Sequence, residues 1–135
     1  MRHSLDWLFV VLVLNALGNF ANGAWMLADP AGWYRGLPAA VPDFGPLNEH
    51  FVRDIGSTFV TLGAALLGAA LVPAARVALL AVVTMFYVLH ALVHVLDTGR
   101  GLVGPAHWTI DFPGVYVPAL LFLTLTLVAV RRPAR

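Results

Sequence analysis

Residues 76–97 read RVALLAVVTMFYVLHALVHVLD, and this stretch decides the fold. No Lys, Arg, Asp or Glu falls between Arg76 and Asp97. A helix needs about 20 predominantly apolar residues to cross a hydrocarbon core of roughly 30 Å, and this run supplies them. Three further runs have the same character: Trp7 to Leu27, Glu49 to Val72 (closed by Pro73), and Trp108 to Val130. The first follows Arg2, as the apolar core of a signal peptide would. Its length, and Asn15 and Asn19 inside it, make it a span instead. Pro113 and Pro118 fall early in the last run and predict a kink or a late helix start near Pro113.

Composition agrees. The chain has 135 residues, 60% hydrophobic and only 11% charged, and a mean hydropathy of +0.83. Soluble domains carry about a quarter of their residues as charges, so these few cannot cover a water-exposed surface. The expectation is an all-α integral membrane four-helix bundle, one transmembrane domain over 1–135, with the lipid bilayer as its surroundings. There is no cysteine, which removes disulfides, thiolate metal sites and redox dithiols.

A long extracytoplasmic loop, residues 28–48, is expected between helices 1 and 2. Pro30, Pro38, Pro42 and Pro46 alternate there with Gly32, Gly36 and Gly45, a composition read as blocking regular helix. Trp33, Tyr34 and Phe44 suit an interfacial belt. The segment reads as a compact cap on one membrane surface, with a plain connector as the rival account.

With an even number of spans, both ends share a side. Arg2, Arg76, Arg131, Arg132 and Arg135 fall on that side, against Arg35, Arg53 and Arg100 on the other. Basic residues favour the cytoplasm, so both termini are expected in the cytoplasm, with the chain in the inner (plasma) membrane. The acids sort the other way. Only Asp6 lies inside, while Asp29, Asp43, Glu49, Asp54, Asp97 and Asp111 map to the outer face.

Histidines gather there too. His3 is near the cytoplasmic end, but His50, His90, His94 and His107 map to the outer ends of helices 2, 3 and 4. Three pairs recur at i, i+4, the spacing that shares a helical face: His50 with Asp54, His90 with His94, and His107 with Asp111. Tyr87 and Asp97 extend the face of His90 and His94. Phe112 precedes Pro113, so His107 and Asp111 could instead occupy a turn before helix 4.

Imidazole and carboxylate groups converging from facing helices are how bundles hold zinc or non-haem iron. His50, Asp54, His90, His94, His107 and Asp111 are therefore the candidate metal ligands. Asp54 or Asp97 would act as base if the metal activates water. Asn19, Asn22, Glu49 and Tyr87 are placed to support the ligands. Interfacial hydration or interhelical hydrogen bonding would account for any one of these residues alone.

Asn15, Asn19 and Asn22 form a polar stripe on helix 1, read as interhelical hydrogen bonding or as one wall of a hydrated cavity. Asn48 is an N-cap candidate for helix 2, and Arg53 can pair with Glu49. Gly56, Gly63, Ala64 and Gly68 read as close helix packing. Nucleotide loops, nucleophile motifs and basic patches for nucleic acid are absent from the sequence.

In layout, with four short helices, a long loop after the first and about this length, the chain resembles DoxX-like small bacterial membrane proteins. The resemblance implies a four-helix bundle and assigns no functional residue. Three functions compete. One is a membrane metalloprotein with a zinc or iron centre acting on a lipid-soluble or periplasmic substrate. The second is a haem protein ligated by His50 with His90 or His94. The third is a non-enzymatic subunit or binder of a hydrophobic small molecule, with structural histidines. Transport would call for a homo-oligomer, since four short helices enclose little volume.

Overall fold

The structure, a computed structural model, describes residues 7–131. Arg2, His3, Asp6, Arg132 and Arg135, used above for topology, lie outside the described residues. Among the described residues the fold is all α. The long helices are α1 (Trp7–Ala28), α3 (Glu49–Leu71), α4 (Arg76–Gly99) and α6 (Val117–Arg131), with short helices α2 (Pro30–Gly36) and α5 (His107–Ile110). Four helical stretches, the last counted from Phe112, are long and apolar enough to cross a membrane.

The long helices pack in chain order: α1 on α3, α3 on α4 and α4 on α6. Glycines set the first contact. A Cβ added at Gly23 would stand 2.6 Å from the Gly56 carbonyl oxygen, and one at Gly56 would stand 2.8 Å from the Met26 Cβ. Only hydrogen at these positions lets the two backbones come so close. Leu12, Leu66, Leu80, Val83 and Phe122 are fully buried along the shared seam. Thr84 ties α4 to α6 by donating to the Phe122 carbonyl at 3.0 Å. The outward faces stay apolar: Leu14, Leu17, Met85, Leu89, Leu96 and Leu120 are all exposed.

Helix α3 begins as its sequence indicates. Asn48 caps it by accepting from the Phe51 amide at 3.1 Å, and Arg53 donates to Glu49 at 3.0 Å. The kink foreseen near Pro113 is also present. Prolines 113 and 118 each remove an amide donor, and the chain forms a π-helical turn over Phe112–Tyr116, with Pro113 in its first turn, before α6 starts at Val117. The Asp111 carbonyl there accepts from both Val115 and Tyr116.

The expectation that 28–48 holds no regular helix is corrected. Helix α2 spans seven of those residues, and a 3₁₀ turn covers Val41–Phe44. Pro30 stands at the first turn, where its missing amide costs nothing and its fixed φ suits the helix. Asp29 caps it by accepting from the Gly32 amide at 2.8 Å. Proline placed at a helix start favours what proline in a helix interior forbids.

Candidate functional site

A cavity of about 510 Å³ opens at the bundle end opposite the termini, between that folded 28–48 segment and helices α1, α3 and α4. Its lining is largely apolar: Met26, Val52, Ile55, Phe59, Val115 and Pro118 contribute. Polar groups enter mainly from α4 and from the residue that closes α5, as His90, His94 and Asp111.

The cap is fastened by hydrogen bonds. The Trp33 indole donates to the Asn22 side-chain oxygen at 2.9 Å. The Tyr34 hydroxyl donates to the Gly45 carbonyl at 2.6 Å. Gly45 adopts φ 127°, a backbone state that side chains resist, and so turns the chain towards α3. Phe44 then lies edge-on against two imidazoles, 5.0 Å from His94 and 4.7 Å from His107 between ring centroids.

Beneath Phe44 runs a chain of four ionisable side chains. Asp43 Oδ2 is 3.2 Å from His107 Nε2. His107 Nδ1 is 3.1 Å from Asp111 Oδ1, and Asp111 Oδ2 is 2.8 Å from His94 Nδ1. His107 and Asp111 are each only 1% exposed, whereas the Asp43 side chain is 58% exposed. The chain therefore links the cavity wall to the outer surface. Burial works against the charged form of His107, but the hydrogen bonds and charges of Asp111 and Asp43 outweigh it and raise its pKa above the ordinary histidine value. Both His107 nitrogens face carboxylate oxygens, a setting that favours the doubly protonated ring.

His90 sits one turn before His94, with ring centroids 4.7 Å apart, and stacks on Phe86 at 5.8 Å. Tyr87, one turn earlier again, donates to Asn19 Oδ1 at 2.8 Å and joins α4 to α1. Asn15 and Asn19 donate back to carbonyls one turn earlier in α1. Only Asn22 of that stripe lines the cavity.

The sequence-selected residues thus separate into two groups. His90, His94, His107, Asp111, Tyr87, Asn19 and Asn22 come together at or just behind the cavity wall. His50 and Asp54 stand outside it, 3.5 Å from one another, with side chains 89% and 63% exposed. Glu49 is occupied by Arg53 on the surface. Asp97 is half-buried and does not line the cavity. Asp43 and Phe44 complete the site although no motif marks them. Their partners lie some fifty to sixty residues further along the chain, and turn composition carries no signal for such a contact.

Among the described residues, no group of three or more His, Cys, Asp or Glu is arranged to hold a metal ion. Of the candidate haem ligands, His50 is exposed on α3, while His90 and His94 stand one turn apart on α4. What the site can do is hold an imidazole in one tautomer against a buried carboxylate, the arrangement that orients a hydrogen-bonding or proton-accepting group. No family model, curated protein or solved structure matches this chain.

Proposed function

We propose that the chain is an integral membrane protein that binds an apolar small molecule in this cavity. The four long helices span the bilayer, with both termini cytoplasmic and the cavity at the extracytoplasmic side of the inner (plasma) membrane. The apolar outward faces support the spanning role, because water-soluble monomers do not expose contiguous surfaces of that kind. The basic residues near the ends support the orientation.

One observation carries the binding role. The cavity falls in the size range of small-molecule sites, about 300–1,000 Å³, and has their character: an apolar lining with a few convergent polar groups. In this reading the histidines orient the ligand and hold no metal.

The test is extraction. Protein purified in mild detergent is extracted with organic solvent, and the extract is compared by mass spectrometry with that of an Ile55→Trp variant, which fills the cavity. A compound present in stoichiometric amount in the wild type and depleted in the variant is the expected result. Identical extracts, with no compound above the level of bulk lipid, would remove the binding role. Release of the chain from membranes by alkaline carbonate would remove the spanning role.

A further inference from the structure

The ligand's chemistry can be narrowed further, on the reading that the cavity is a binding site. Most polar side chains on its wall are already satisfied within the protein. Tyr87 is bonded to Asn19, Trp33 to Asn22, and Tyr34 to the Gly45 carbonyl. The imidazoles of His90 and His94 are different. His90 makes only ring contacts, and His94 uses one nitrogen, Nδ1, on Asp111. Their remaining nitrogens have no hydrogen-bond partner among the described residues, yet they are not sealed in the interior either. They are open to a ligand.

The hydrogen-bond chain fixes which end of His94 does what. Asp111 receives His107 on one oxygen and His94 on the other. An ionised carboxylate only accepts, so His94 carries its proton on Nδ1. With Nδ1 so engaged, the neutral ring offers Nε2 as its acceptor. A ligand must bring a donor to it. A carbonyl or an ether cannot donate, and a carboxylate adds charge beside Asp111. A hydroxyl both donates and accepts, so it can also take the N–H of His90. The apolar body has aromatic neighbours in Trp33, Phe44, Phe51, Phe59 and Tyr87, which favour an aromatic ring through edge and offset contacts.

We infer that the cavity takes a neutral lipophilic phenol, its hydroxyl donating to Nε2 of His94 while its ring and tail occupy the apolar wall.

The probes are 4-octylphenol and its methyl ether, which share ring and tail but differ in the donor. Each is titrated into the full chain in detergent, at equal micelle concentration, and binding is followed by calorimetry. The phenol is expected to bind about tenfold more tightly, the ratio that a hydrogen bond of about 1.4 kcal/mol carries. His94→Phe should bring the two affinities together. His94→Gln keeps an acceptor oxygen and should retain part of the preference, which separates loss of the acceptor from loss of the fold. Equal binding of both probes to the wild type would overturn the phenol while leaving an apolar binding site. Preference surviving in His94→Phe would overturn His94 as the acceptor. Failure of both probes to bind would overturn the inference together with the binding role beneath it.

Discussion

Asp111→Asn is the most informative single change in the polar chain. The wild-type carboxylate accepts from His107 Nδ1 at 3.1 Å and from His94 Nδ1 at 2.8 Å, and it is 1% exposed. An asparagine offers one acceptor oxygen and one nitrogen that only donates. One imidazole N–H must lose its acceptor, and the charged His107 loses its buried counter-ion. A hydrogen bond to a charged group contributes about 1.5–3 kcal/mol, and removing one partner of a buried pair costs about 3–5 kcal/mol. The expected loss is therefore about 3–5 kcal/mol. Asp43→Asn makes the same chemical change at the other end of His107, where the side chain is 58% exposed. Water screens that contact, and the expected loss is at most about 1 kcal/mol. Reversible unfolding in mixed micelles with increasing SDS, followed by far-UV circular dichroism, measures both. Equal losses, or a loss below about 1 kcal/mol for Asp111→Asn, would refute the claim that Asp111 is the buried hub of the chain.

Folded His107 holds its proton more tightly than an unfolded imidazole, whose pKa is about 6.5. Its contribution to stability is then complete below about pH 6.5 and is lost as pH rises through the raised folded value. Melting temperature should fall over that window, and His107→Gln should flatten the fall; an unchanged slope in the variant would assign it to another group. Gly56→Val places side-chain atoms where even a Cβ would meet Met26 at 2.8 Å, and overpacking of this kind costs about 1–3 kcal/mol. A melting temperature equal to wild type would refute the close approach of α1 and α3. On the proposal that the histidines orient a ligand and hold no metal, purified protein should carry no stoichiometric zinc or iron, and neither metal should raise its melting temperature. Elemental analysis with a metal titration checks both points.

The helices were legible because each is marked by a run of about 20 apolar residues, the length that a membrane-crossing helix needs. The runs ending near Leu27, Val72, Asp97 and Val130 differ from the observed helix ends by only one or two residues. The break before Val117 was legible because proline removes a donor wherever it stands. Half of the site was legible as well, since i, i+4 spacing places His90 with His94 and His107 with Asp111. That spacing says two residues share a face, but not which way the face turns. His50 and Asp54 show the difference. At 3.6 residues per turn they lie roughly 120° and 160° round α3 from Gly56. Gly56 is pressed against α1, so the pair points outward. The glycines held the rotational information that the histidines lacked. Asp43 was beyond reach for another reason: it meets His107 only once α2 and the Val41–Phe44 turn have folded back over the bundle.

Photolabelling with an apolar diazirine phenol, followed by peptide mapping, tests the central claim most directly. Labelling at cavity residues such as Met26, Phe51 and Val115, suppressed by excess 4-octylphenol while labelling at the exposed Leu89 and Leu120 persists, is the expected result. Labelling confined to such exposed outer positions and indifferent to competitor would contradict the account.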